Sequence, residues 1–216
     1  MLLPLLPPLL LLSLLLLLPP LAATTSLNTI QAAIIQQIAP TSASCPPNTT
    51  ECRTAHQAAP FIFRALTTHH IHHPNLQAAV IALMAYESAD FRYKHNVWPG
   101  RPGQGTANMQ MPRFNLLYAR RTPALRATAR ARFPFRDPAG QSPDTLDAIL
   151  ALVTPDEYNF GSGPWFLAEM CGGDVRAALA RDLDQGFGLY MACVGVDVSL
   201  ERRVYLERAK RAFGLA

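Results

Sequence analysis

The sequence predicts a mainly α-helical domain with at most a small or vestigial sheet. Three observations carry this. Ser142-Pro143-Asp144 and Thr154-Pro155-Asp156 each place a capping hydroxyl before a proline at the first helical position, with an acid in the first turn. Apolar residues return at helical spacing, as in Leu76, Val80 and Leu83. Period-two alternation is short wherever it occurs, which confines any sheet to the irregular segment from Arg92 to Gln110.

Taken in order, residues 24–40 read as a first helix, with Ser26 as a capping-like start and an apolar-polar pattern through Ile38. Pro40, Pro46 and Pro47 end it. A second helix is predicted over 53–67, and Pro74-Asn75 opens a third that ends near Glu87. The run Trp98-Pro99-Gly100-Arg101-Pro102-Gly103-Gln104-Gly105 is too rich in turn formers for a helix and forces a loop. Asp174 to Leu183 and Ser199 to Phe213 supply further helices, with Gly186 and Gly188 marking entry to an apolar segment through Val194.

A leucine tract from Leu9 to Leu18, broken only by Ser13, falls short of the roughly 18–20 apolar residues that span a bilayer, and small residues follow it. It reads as a signal peptide over 1–23, although Pro4, Pro7 and Pro8 interrupt its start and no basic residue precedes it. A signal anchor is the alternative. The expected organisation is then an N-terminal helix and disulfide loop over 24–52 and one domain over 53–216, with no second long apolar segment. Four cysteines, Cys45, Cys52, Cys171 and Cys193, predict two disulfides in a secreted chain. Local pairing is the simplest of three connectivities, which the sequence leaves open. Asn48-Thr49-Thr50 matches the N-glycosylation pattern.

The formal charge is +4, and arginines 113, 120, 121, 126, 130, 132 and 136 concentrate it. Without interleaved aromatics such a run reads as a solvated helix face, not as a nucleic-acid surface. His69-His70-Ile71-His72-His73 has no accompanying cysteine or carboxylate and runs directly into Pro74. A partly exposed turn is expected there, with no metal and no cofactor.

The chemistry-bearing candidate is Glu87. It shares a helical face with Leu76, Val80 and Leu83, where loss of water raises a carboxyl's pKa and keeps it protonated as a proton donor. The competing reading is a helix-ending glutamate that turns into solvent.

Four segments occur in order: Glu87-Ser88; Gly105-Thr106-Ala107-Asn108-Met109-Gln110-Met111-Pro112; Tyr158-Asn159-Phe160-Gly161; and Glu201-Arg202-Arg203-Val204-Tyr205-Leu206. This set resembles the soluble lytic transglycosylases and goose-type lysozymes of the lysozyme-like superfamily over residues 76–210. The resemblance implies a lysozyme-like fold and a secreted, monomeric enzyme cleaving a β-linked amino-sugar polymer, peptidoglycan first. It implies Glu87 as the general acid/base and Gln110 in the saccharide groove. Tyr158 would approach the carboxyl, Asn159 would line the cleft, and Ser88 would contact sugar or fix the Glu87 loop. Arg203 and Tyr205 would pack in the closing helix.

Asn108, Phe160 and Arg202 depart from the family pattern, where Leu, Ala and Thr stand; Phe160 is expected to reshape the cleft. Glycoside cleavage needs a proton on the leaving oxygen and often a second carboxylate. Asp90, Asp137, Asp144 and Asp156 are the candidates, with Asp90 expected in solvent and Asp144 and Asp156 explained as first-turn helix residues. A single-glutamate mechanism is therefore favoured. The rival readings are a hydrolase of chitin, chitosan or mannan on the same fold, and a non-catalytic wall-binding or defence protein. Trp98 and Trp165 are open between sugar stacking and packing.

Overall fold

The computed structural model describes residues 21–215, with side chains from residue 27 onward. The predicted leader lies outside the described residues except for its end, which belongs to the first helix. Among the described residues the chain is mainly α-helical: α1 Leu21–Ile38, α2 Ala55–Thr68, α3 Pro74–Glu87, α4 Pro112–Arg121, α5 Pro123–Arg132, α6 Pro143–Val153, α7 Asp156–Asn159, α8 Ser162–Glu169, α9 Gly173–Arg181, α10 Leu183–Val194 and α11 Leu200–Ala212, with a 3-10 turn at Pro40–Ala43. The anticipated sheet reduces to two isolated antiparallel bridges, His95 with Gly105 and Gly105 with Gln110.

The helix starts follow from local chemistry. Thr54 and Gln57 form a reciprocal capping box at α2. Ser142 accepts the Thr145 N–H at α6, and Ser199 accepts that of Arg202 at α11. Three expected starts are corrected. Ser26 lies within α1, not at its cap. Thr154 donates its hydroxyl back to the Ala151 carbonyl and does not cap α7, which Pro155 precedes. Gly186 and Gly188 lie inside α10, which begins at Leu183 under an Asp182 cap. A Cβ at Gly186 would strike the Leu179 backbone, so this glycine serves the close approach of α10 to α9.

Helix α3 is the axis of the domain. It packs against α1, α8, α9, α10 and α11, and every residue from Ala78 to Ala85 is buried. Val80, Ile81, Leu83 and Met84 are essentially solvent-free, each worth about 1.5–3 kcal/mol of apolar burial. The single apolar stripe inferred from the sequence is thus too narrow, because α3 is enclosed on all sides from Ala78 to Ala85. Helix α8 reaches it through Gly163, where a Cβ would meet the Met84 sulfur at 2.5 Å.

The cysteines pair locally, Cys45 with Cys52 and Cys171 with Cys193. No helix among the described residues is long and apolar enough to cross a membrane. The arginine run covers α4 and α5. Most of it is solvated, but Arg120 donates to the carbonyls of Phe133 and Phe135 and ties down the segment after α5.

Beyond Ser88 the backbone makes a left-handed turn at three successive non-glycine residues, Ala89, Asp90 and Phe91, with φ of 51°, 60° and 65°. Left-handed backbone costs L-residues about 1–2 kcal/mol each. The turn is held by the Ser88 hydroxyl, which donates to the Met84 carbonyl at 2.7 Å and accepts the Phe91 N–H at 2.9 Å. It also swings Asp90 inward, contrary to its expected solvent position. Asp90 is 4% exposed and accepts from the Thr41 N–H and hydroxyl and from the Tyr205 hydroxyl at 2.7–2.9 Å. Asp90→Ala, which strands these three donors, is expected to lower stability in urea denaturation by about 2–4 kcal/mol. Ala89→Gly, at an exposed left-handed position, is expected to raise it by about 0.5–1 kcal/mol.

Candidate functional site

The end of α3, the 101–111 loop, α4 and the α10 C-terminus enclose a cleft of about 280 Å³. Its polar lining is Glu87, Arg101, Gln104, Asn108 and Gln110, and its apolar walls include Leu83, Met109, Phe114 and Phe166. Glu87 arrives there because α3 leaves the core in its final turn, after the buried run from Ala78 to Ala85. Its side chain is 18% exposed, and its Oε1 accepts two hydrogen bonds from Arg202, from Nη2 at 2.8 Å and from Nε at 3.2 Å. Arg202, 14% exposed, also lies over the Tyr86 ring. Burial raises the Glu87 carboxyl above the ordinary carboxylate range; the Arg202 hydrogen bonds and charge oppose this without cancelling it. The fully buried Tyr190 hydroxyl has no hydrogen-bond partner, and burial together with the Glu87 charge pushes it upward.

The loop wall is a polar lattice. Gln110 donates to the Asn115 side chain at 2.9 Å, Asn115 donates to the Gly103 carbonyl at 2.8 Å, and Gln104 donates to the Met109 carbonyl at 3.0 Å. Asn108 donates to Gln110 at 3.4 Å, a long and weak contact. Two acceptors are left over: Gln104 Oε1 and Asn108 Oδ1 are buried without a donor.

The predicted constellation is only partly assembled. Gln110 does line the Glu87 cleft, but Tyr158 lines a separate pocket with Tyr118 and Trp165. Asn159 is buried and lines neither. Ser88 is buried in the α3 turn, which fits loop fixing and leaves no surface for sugar contact. Phe160 does not reshape the cleft; it packs in the core against Phe61 and Phe91. None of Asp90, Asp137, Asp144 and Asp156 lines the cleft. Asp156 instead binds Arg53 at 2.7 Å and Lys94 at 2.6 Å. Burial pushes its pKa up, but these two partners outweigh burial and leave it lowered.

Sequence reasoning missed Arg202 as the partner of Glu87. Its only signal was a cation standing where the resembled family has Thr. Trp98 is 89% exposed and Trp165 is 3% exposed. Asn48 is exposed in the loop closed by Cys45 and Cys52. The histidine run forms the turn before α3, where His73 Nδ1 accepts the Asn75 N–H. No group of three or more His, Cys, Asp or Glu converges as a metal site among the described residues.

No family model matches the chain, and no solved structure matches it. A Fusarium oxysporum (strain Fo5176) protein described as a bifunctional dioxygenase (DOX)-epoxy alcohol synthase (EAS) is 52% identical over 160 residues, 74% of this chain. That match covers 12% of the relative, so the chain spans about an eighth of its length.

This similarity overturns the glycan-cleaving expectation. The relative's description names dioxygenation and epoxy-alcohol synthesis, not the work of a lytic transglycosylase or glycoside hydrolase, and identity at this level extends to most side chains of the matched region. The assignments of peptidoglycan-directed chemistry and carbohydrate metabolism fall with it. Within the structure, the tyrosine assigned to Glu87 lines another pocket.

The raised Glu87 pKa has a defined signature in stability. A carboxyl with a raised folded-state pKa contributes fully below its unfolded pKa, and that contribution is lost as pH rises through the folded value. Urea denaturation across pH is therefore expected to show wild-type stability falling relative to Glu87→Gln as pH rises from below the ordinary carboxylate range through and above it. A constant difference between the two proteins would mean an unperturbed carboxyl.

Proposed function

We propose that this chain is a ligand-binding module serving dioxygenase–epoxy alcohol synthase chemistry, and that the Glu87 cleft takes an oxygenated apolar molecule of the epoxy-alcohol class. One observation carries the reading: a protonatable carboxyl and two residues with buried, donorless amide oxygens line one cleft with apolar walls.

An epoxy alcohol has a hydroxyl that donates, an ether oxygen that accepts, and a hydrocarbon skeleton. The hydroxyl answers Asn108 Oδ1 or Gln104 Oε1 after a small side-chain rotation, which the long Asn108 contact permits. The ether oxygen accepts from protonated Glu87 or from Arg101, and the skeleton lies against Leu83, Met109, Phe114 and Phe166. A buried acceptor without a donor costs about 1–3 kcal/mol, which a bound hydroxyl recovers.

This reading gives the chain the binding of the oxygenated molecule and a proton held at Glu87. Two local disulfides support placing the chain in an oxidising, extracellular compartment.

Isothermal titration of a medium-chain epoxy alcohol, against the same epoxide lacking its hydroxyl, tests the reading. The alcohol is expected to bind about threefold to tenfold more tightly. Replacing Asn108 and Gln104 together by Ala is expected to erase that preference. Equal affinity for the two compounds, or no binding heat from either, overturns it.

A further inference from the structure

A second pocket, of about 230 Å³, shares no residue with the Glu87 cleft. Phe61, Ala65, Tyr118 and Trp165 make its aromatic and aliphatic wall. It is smaller than the roughly 300 Å³ at the low end for drug-sized ligands, so its occupant is small.

Two features of this pocket point to a ligand. Trp165 is 3% exposed, yet its indole N–H is buried with no acceptor. Buried indoles ordinarily find an acceptor, and leaving the donor unmet is costly. The Tyr118 ring lies over the indole at a centroid distance of 4.9 Å, and its hydroxyl reaches the Tyr158 carbonyl at 3.2 Å, long for an O–H···O bond. That contact is weak, and Tyr118 and Trp165 line the pocket together.

Charge at the mouth selects against an ion. Arg64 and Arg121 line the pocket, but Arg121 is paired with Glu169 at 3.0 Å and Glu157 stands on the same rim. His69, also lining it, has its pKa lowered, chiefly by burial. Cations and carboxylates offset one another, and moving a charged ligand into the apolar interior would go uncompensated.

We propose that this pocket binds a small, uncharged apolar molecule bearing one carbonyl-type acceptor, which receives the Trp165 indole N–H. The site is independent of the Glu87 cleft and of the ligand assigned there. Trp98→Phe leaves Trp165 as the one tryptophan, so its indole N–H gives a single resonance in a nitrogen-correlated NMR spectrum. Acetophenone, ethylbenzene and benzoate then serve as probes of nearly equal size: neutral with an acceptor, neutral without one, and charged.

Acetophenone is expected to give a saturable downfield shift of the indole proton. Ethylbenzene is expected to give none, and benzoate to bind at least about tenfold more weakly than acetophenone. No saturable shift with acetophenone, an equal shift with ethylbenzene, or tighter binding of benzoate each overturns the proposal. Binding of the epoxy alcohol in the Glu87 cleft is read separately by calorimetry and does not enter this outcome.

Discussion

The enclosure of helix α3 is the constraint on which the other features turn. A helix with no solvent face over Ala78 to Ala85 must have partners on every side, and α1, α8, α9, α10 and α11 supply them. Such a helix can carry charge only at its ends, outside the buried run. Glu87 stands there, partly dehydrated, and Arg202 from α11 answers it. Immediately beyond, the chain is turned through three left-handed residues that drive Asp90 back inside. Packing thus dictates where the acid sits, and the acid dictates what the last helix must bring.

Much of this was legible in the sequence where a local rule governs. The Ser142 and Ser199 caps are short-range chemistry, and the structure realises the helix starts expected there but not the one expected at Ser26. Local rules fail where distant partners decide. Thr154 satisfies its hydroxyl within the preceding turn, so its cap signature misleads. The glycines of α10 resemble a boundary but serve contact with α9. Periodicity placed Leu76, Val80 and Leu83 on one face, but alanines together with Ile81 and Met84 fill most of the other positions and make the helix apolar nearly all round.

The candidate site was less legible still. Glu87 and Gln110 meet in one cleft as ordered motifs suggested, whereas Tyr158 and Asn159 do not join them. Motif order along a chain fixes succession, not the side of a helix on which a residue emerges. Arg202, Tyr190 and the donorless oxygens of Gln104 and Asn108 carry no sequence signature, because each is defined by what surrounds it. The correction of function has the same origin: a set of short motifs yields to identity over 160 residues, which constrains far more side chains at once.

Helix α11 has two grips on the region around the end of α3: Arg202 on Glu87 and, one turn later, Tyr205 on Asp90. Anything that levers this terminal helix from its seat withdraws a cation and a phenol together. Ionisation in the cleft is therefore mechanically geared to the docking of the chain's final helical segment.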